Sequence, residues 1–279
     1  MKANPPLTAG THLSPLARGL LGVTAAAYLV TGIPLFVAPG WASDHFAWRV
    51  SPFVAMTAGA WCIGTAAVAL YAVGWQRWSA VRPCVVYTFA FGVSQLGVAL
   101  YERDLLRTGE VLTWPYLLAL VLSVVAAGIA LVQGRRHLRP DRGGGLRVTP
   151  FIRVMMIGFI ALVFFLALVA FVAPVRGRNG SIFPEPLSLF SLRAFGVFYL
   201  SLGIAMLVIV ADRRVEAFLL YMRGGLVLVA AILVATIVHA DSFDLSAHPL
   251  QIVYPLAYLV ALVGATGSLV WERRRRGRL

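Results

Sequence analysis

The residue of this sequence most able to do chemistry is Arg193, which stands inside the apolar stretch 189–195. A guanidinium is permanently charged and carries five N–H donors, so it binds carboxylates and other anions. Within a bilayer an arginine costs at least about 2.5 kcal/mol and normally has a partner. Two interpretations follow. Arg193 is either a structural residue that reaches the headgroups or a carboxylate, which is the commoner case, or a contact for an anion in a cavity.

Further ionisable side chains cluster where two other apolar stretches end. Glu102 and Asp104 follow the first of these stretches, and His239 and Asp241 stand at the aligned positions of the second. We expect these groups to converge, and we expect Arg193 to pair with Glu102, Asp104, Asp241 or Asp244. The candidate ligand-binding residues are therefore Arg193, Glu102, Asp104, His239, Asp241 and Asp244.

A metal site or an enzyme active site is the weaker hypothesis for the same region. His239, Asp241, Asp244 and His248 lie within ten residues and carry metal-ligating groups. Their spacing matches no recognised zinc pattern, and hydrated residues that cap helix ends are the commoner explanation. We therefore predict no metal, assign no catalytic residue and favour a non-enzyme.

The sequence also argues against several cofactors. Lys2 is the only lysine, so a retinal Schiff base inside the membrane has no attachment point. Two buried histidines at one depth, which a transmembrane haem needs, are missing from the apolar stretches. No P-loop or dinucleotide fingerprint occurs. We predict no cofactor.

The elements that position these residues are apolar helices. Sixty per cent of the residues are apolar, 13% are charged and the mean hydropathy is +0.84, which is typical of an integral membrane protein. Uninterrupted apolar runs favour helices over a barrel, and each run has the roughly 20 residues needed to cross a bilayer. The predicted spans are 17–38, 52–73, 83–101, 114–133, 151–173, 187–210, 218–239 and 251–271.

The chain carries the signature of an internal duplication. The sequence Phe-Val-Ala-Pro at 36–39 returns at 171–174, and Gly-Ala-Trp at 59–61 has its counterpart in Gly-Val-Phe at 196–198. Each half contains an even number of spans, so both halves enter from the same side of the membrane. We predict an all-α membrane protein of two parallel four-helix repeats. Its segments are a tail at 1–16, repeat 1 at 17–133, a basic linker at 134–150, repeat 2 at 151–271 and a basic tail at 272–279.

The distribution of positive charge predicts the topology. The formal net charge is +13, but most of the 24 lysine and arginine residues fall on the side of the N-terminus. This bias places both termini in the cytoplasm and explains the charge without nucleic acid. Anionic headgroups are the expected partners of the cytoplasmic arginine clusters. The strong preference for arginine over lysine favours a bacterial inner membrane. Aromatic residues of the two outer loops, Trp41, Phe46, Trp48 and Phe183, are expected in the interfacial belt.

One segment of each half resembles a known pattern. The segment 188–198, with its weaker counterpart at 51–61, is similar to uncharacterised bacterial multi-pass proteins in which a Pro-containing outer loop leads into a helix bearing Arg, Gly and an aromatic residue. The four-helix unit is distantly similar to DoxX-like small membrane proteins. The resemblance implies a helical bundle and no activity. Met56 occupies the position of Arg193 in the first half, so any arginine function belongs to the second half.

Three classes of function fit these observations. The first is binding or transport of a small or lipophilic solute in an outward-facing cavity between the third, sixth and seventh spans. The second is a structural or accessory subunit of a membrane complex, which the scarcity of intramembrane polar residues favours. The third is a membrane enzyme that uses His239 and Asp241 at the outer face. The oligomeric state is open at this point.

Overall fold

Eight long helices build the protein, as the computed structural model shows for residues 12–75, 77–135, 146–172 and 182–276. All eight are long and apolar enough to cross a membrane, so the prediction of a helical multi-pass membrane protein is confirmed. The helices are α1 Pro15–Val37, α2 Pro52–Trp75, α3 Trp78–Tyr101, α4 Thr113–Arg135, α5 Pro150–Val172, α6 Leu189–Asp212, α7 Val215–Val238 and α8 Val253–Arg276. Most of the predicted linker and both tails, together with the side chains at 135 and beyond 271, lie outside the described part of the chain.

Hydroxyl side chains cap the first turns of α1 and α6. The Ser14 hydroxyl accepts a hydrogen bond from the backbone N–H of Ala17 at the start of α1. Ser188 does the same at the start of α6. These contacts satisfy N–H groups that have no partner within the first helical turn. At its other end α6 stops at Arg213, whose positive φ of 54° ends the helical hydrogen bonding.

Helix packing places α2, α3, α6 and α7 at the centre. In the described residues α1 packs on α2 and α4, and α3 packs on α4. In the same way α5 packs on α6, and α7 on α8. The two halves meet where α2 packs on α7 and where α3 packs on α6 and α7. The span of α2 is 83% buried and that of α8 only 17% buried, so α2 is a core helix and α8 lies at the periphery.

Glycines allow close approach within and between the halves. A Cβ on Gly59 of α2 would lie 2.7 Å from the backbone N of Phe36 of α1. A Cβ on Gly224 of α7 would lie 2.5 Å from Val68 of α2. Helices in lipid associate through such van der Waals packing because no hydrophobic force drives them together. These positions therefore require glycine for reasons of space.

Aromatic rings fill the centre and one end of the bundle. Trp61 of α2 stacks on Phe198 of α6, with ring centroids 4.6 Å apart. Phe46, Trp48 and Phe183 are at most 1% exposed, so the expectation that they face the lipid interface was wrong. They are buried because the outer loops fold over the bundle: Trp48 donates a hydrogen bond to the Ser191 hydroxyl at 3.0 Å. Trp41 is 49% exposed.

Candidate functional site

Arg193 and Glu102 form an ion pair between α6 and α3. The side chain of Arg193 is 26% exposed and that of Glu102 is 11% exposed. The guanidinium also lies over the ring of Tyr101, 4.6 Å from its centroid, which is a cation–π contact. The prediction that Arg193 pairs with one of four acidic residues is thus confirmed, and Glu102 is the partner. Both charges are compensated by protein groups.

The pair belongs to a polar seam that runs along the whole contact between α3 and α6. Near the opposite end Arg82 of α3 donates two hydrogen bonds to the carboxylate of Asp212, at 3.0 and 3.1 Å. Between the two ion pairs, Gln95 donates to the backbone oxygen of Ala194 at 2.9 Å. The hydroxyls of Ser94 and Ser201 lie 3.2 Å apart. The geometry accounts for Arg193 as one end of a structural joint.

The remaining acidic candidates lie at exposed positions of the loops. Asp104 is 96% exposed and stands 3.9 Å from Arg103, a geometry that contributes little. Asp241 is exposed in the loop before α8. Asp244 accepts hydrogen bonds from the Ser246 hydroxyl and the Ala247 N–H, and these lower the pKa of its carboxyl. Asp244 therefore organises its own turn.

The metal hypothesis gains no support from the geometry of this loop. Within the described ranges, no group of three or more His, Cys, Asp or Glu side chains lies close enough together to hold a metal ion. His239, Asp241, Asp244 and His248 are thus not assembled around a common point. His248 and both aspartates are exposed, which fits hydrated loop residues.

Glu185 is an acidic residue near His239 that we did not predict from the sequence. It accepts a hydrogen bond from the Ser51 hydroxyl in the loop of the other half. Burial raises the pKa of the Glu185 carboxyl, although the Ser51 hydroxyl and the nearby His239 act in the opposite direction. The His239 ring also packs edge-on against Phe53, with centroids 6.0 Å apart. In the sequence, the position of Glu185 between two prolines, at 184 and 186, was the only feature that could have drawn attention to this residue.

A large apolar cavity lies elsewhere, between α5, α6, α7 and α8. Its volume is about 400 Å³. The wall residues of α5 and α7 come mainly from the halves that hold their N-termini, so the cavity lies toward that end of the bundle. Val68 of α2 and Tyr87 of α3 close its inner wall. From the sequence we predicted an outward-facing cavity between α3, α6 and α7 instead. None of the six candidate ligand-binding residues lines the cavity.

The cavity wall has almost no polar groups. It contains no Asp, Glu, Lys, Arg or His side chain, and its polar side chains are those of four tyrosines and Ser268. Tyr199 and Tyr258 share a hydrogen bond at 2.9 Å. Tyr87 shares one with Thr65 at 3.2 Å. The Tyr221 hydroxyl is buried and has no hydrogen-bond partner among the described residues. Such a surface suits an apolar molecule.

The cavity reaches the lipid-facing surface between α5 and α8. Met155 and Val260 line it and are 46% and 56% exposed. Gly158 also lines it and is exposed. In the described residues α5 and α8 make little direct contact, and Met155 comes within 3.8 Å of the position that a Cβ on Gly264 would take. A molecule dissolved in the bilayer thus has a lateral route to the cavity.

Two glycines leave part of the cavity unfilled. Gly158 of α5 and Gly225 of α7 both line it, and a Cβ on either would meet no atom within 4 Å. Larger side chains at these positions would extend into open space. The two positions are therefore suited to testing occupancy of the cavity.

No protein-family model matches this chain, and the comparisons with curated proteins and with solved structures found no similar protein.

Proposed function

We propose that this protein binds a lipophilic small molecule inside the membrane, in the cavity between α5, α6, α7 and α8. The observation that carries the proposal is the cavity of about 400 Å³ with its uncharged, apolar wall. This volume falls within the usual range of about 300–1,000 Å³ for ligand pockets. A dry apolar cavity of about 150 Å³ already holds benzene in another protein.

The composition of the wall decides what kind of solute fits. Aliphatic and aromatic side chains surround a ligand whose own surface is mostly hydrocarbon, whereas an ion would lose its hydration without compensation. The lateral opening beside Met155 and Val260 leads into lipid, where such a ligand is dissolved. We therefore favour binding of a membrane-soluble molecule over coupled transport of a polar solute.

We also propose the architecture that the sequence predicts: two like-oriented four-helix repeats in a bacterial inner membrane, with both termini in the cytoplasm. Matched contacts support it. The contact of α1 with α2 has its counterpart in that of α5 with α6, and the contact of α2 with α7 in that of α6 with α3. Trp61 and Phe198, which are equivalent in the sequence alignment, stack on each other. The proposal requires residues 77 and 147 to be labelled from the cytoplasm in single-cysteine accessibility experiments, and labelling from outside would refute it.

The cavity lies where the two proposed repeats differ. In the first half Tyr28 of α1 is fully buried and receives a hydrogen bond from Ser123 of α4 at 2.7 Å, which joins the two helices. The alignment that pairs 36–39 with 171–174 pairs Tyr28 with Val163 of α5, and Val163 lines the cavity. A valine leaves unfilled the space that a tyrosine fills. We infer that the second repeat diverged to open a binding site.

Filling the cavity tests the proposed function. Gly225→Leu extends into the open volume, and Gly97→Leu is its matched control because Gly97 is exposed on α3, lies outside the cavity wall and also has no atom within 4 Å of an added Cβ. Purified protein is incubated with a total membrane-lipid extract, and the molecules that co-purify are identified by mass spectrometry.

The expected result is one lipophilic species enriched on the wild type and on Gly97→Leu, and reduced at least tenfold on Gly225→Leu. Thermal unfolding of both variants shows whether each is folded. Equal recovery of the species from Gly225→Leu and Gly97→Leu would refute binding in this cavity.

A further inference from the structure

The methionines of this protein are concentrated at the cavity between α5, α6, α7 and α8. The sequence contains six methionines, and four of them line the cavity: Met155, Met156, Met206 and Met222. The four tyrosines are joined in the wall by two further aromatic residues, Phe159 and Phe218. The wall therefore combines polarisable thioethers with aromatic rings, and a purely aliphatic wall would have neither.

The surrounding bilayer makes this composition decisive for the choice of ligand. A molecule dissolved in the membrane is already surrounded by hydrocarbon, because lipid tails are as apolar as a leucine side chain. An aliphatic wall would therefore offer such a molecule nothing that the bilayer lacks. Sulfur–aromatic contacts and pairs of aromatic rings are favourable beyond the area that they bury. A ligand with an aromatic ring gains these contacts when it leaves the lipid, and a saturated ligand does not.

The shape of the wall also suits a flat ligand. Gly158 of α5, Gly225 of α7 and Gly264 of α8 all line the cavity, so three of its helices present bare backbone there. A Cβ on Gly158 or Gly225 would meet no atom of the described residues within 4 Å. A dry cavity of about 150 Å³ holds one benzene, so this volume of about 400 Å³ leaves room for roughly two or three fused rings.

Met155 places a methionine side chain at the opening of the cavity. Its Cε lies 3.8 Å from the position that a Cβ on Gly264 would take, so the side chain extends from α5 toward α8. Met155 is 46% exposed, and a molecule at the opening can therefore touch it. Its unbranched chain has three rotatable bonds and can repack around a ligand.

We propose that the lipophile bound in this cavity carries a planar aromatic ring system, which the methionine and aromatic side chains of the wall bind. This inference rests on the proposed function and adds the chemical class of the ligand. The ring system is uncharged, because the wall has no charged side chain to compensate an ion. A saturated lipophile, such as a lipid acyl chain, is the competing occupant that the test must distinguish.

Naphthalene and trans-decalin are suitable probes because they share one carbon skeleton and only naphthalene is aromatic. Binding to the purified full chain in micelles is measured from the rise of the unfolding temperature with probe concentration, since a ligand of the folded state stabilises it. Concentrations are expressed as mole fractions in the micelle, so that unequal partitioning of the two probes does not enter. Unfolding without a probe shows whether each variant is folded.

The test variant combines Met155→Leu with Met222→Leu, which removes two thioethers from the wall and nearly conserves the volume of each side chain. Its matched control is Met56→Leu, because Met56 is a buried methionine of α2 outside the cavity wall. We expect the wild type and the control to bind naphthalene about tenfold more tightly than trans-decalin. The double variant should reduce this preference about threefold.

Two results would overturn the aromatic assignment and leave the cavity proposal standing. The first is equal binding of the two probes to the wild type. The second is an undiminished preference for naphthalene in the double variant. In both cases a lipophile still binds, but the thioethers and rings of the wall do not select it.

The cavity-filling variant Gly225→Leu separates this failure from a failure of the proposed function. It should abolish stabilisation by naphthalene, whereas Gly97→Leu should retain it. If neither probe binds the wild type, or if naphthalene stabilises Gly225→Leu as much as the wild type, the cavity is not the binding site and both proposals fail.

Discussion

Neutralising Glu102 should destabilise the protein because it leaves the charge of Arg193, whose side chain is only 26% exposed, without its carboxylate. Glu102→Gln keeps the size of the side chain and removes only the charge. Arg193→Gln removes the other partner together with its contact to the Tyr101 ring. The two variants and their combination form a double-mutant cycle that isolates the energy of the pair.

The exposure of the two side chains sets the expected magnitude. Fully exposed ion pairs contribute about 0–1 kcal/mol, whereas removing one partner of a buried pair costs about 3–5 kcal/mol. With side chains 26% and 11% exposed, the Arg193–Glu102 pair lies between these cases. We expect Glu102→Gln to cost about 2 kcal/mol and the coupling energy to be about 1.5 kcal/mol.

The assay is unfolding of the purified protein in mixed micelles by titration with sodium dodecyl sulfate, followed by circular dichroism. The control cycle uses Arg103 and Asp104, which stand 3.9 Å apart at 80% and 96% exposure. Their coupling energy should be below about 0.5 kcal/mol. A coupling of Arg193 with Glu102 as small as that of the control pair would refute its role as a structural joint.

Two further predictions concern the outer loops and the helix contacts. Burial raises the pKa of the Glu185 carboxyl in the folded state, so the fold binds its proton more tightly than the unfolded chain, and stability from this group falls as pH rises from about 4 through the raised pKa. Glu185→Gln should flatten this part of a pH series of melting temperatures. Asp244→Asn acts on a carboxyl with a lowered pKa, so it should remove a contribution to stability that the wild type loses as pH falls. An unchanged pH profile for Glu185→Gln would contradict the reasoning. Gly59→Ala should lower the free energy of unfolding by about 1–3 kcal/mol because the added Cβ would overlap the backbone of α1. Gly97→Ala should be close to neutral in the same unfolding assay. Equal stability of the two variants would refute the close packing.

The sequence predicted the number of helices well and two helix ends poorly: the last span was predicted to end at 271, yet α8 continues to Arg276. The second span was predicted at 52–73 and the helix runs over Pro52–Trp75, because a bilayer imposes the same length on every apolar run. The third span was predicted from 83, yet α3 begins at Trp78. Arg82 was read as a residue outside the span, but it lies within α3 and pairs with Asp212 of α6, a tertiary contact that the sequence does not show.

The candidate site was predictable only in part. A lone arginine in an apolar helix indicates that the charge has a partner, and the sequence limited the candidates for that partner to four acidic residues. Choosing Glu102 among them required knowing that α3 lies beside α6. His239 was singled out, but its acidic neighbour Glu185 comes from a loop more than fifty residues away. The two meet only because these loops fold across the end of the bundle.

By itself the sequence determined that this is a membrane protein with eight helices, because transfer of apolar side chains and backbone into lipid is decided segment by segment. It also determined that Arg193 must be compensated, because the cost of a charge in lipid is local to that charge. Only the tertiary structure decided which carboxylate compensates it and where the bundle leaves a void. Both depend on distances between residues far apart in the chain, and a cavity such as the one between α5 and α8 arises from what several helices together fail to fill.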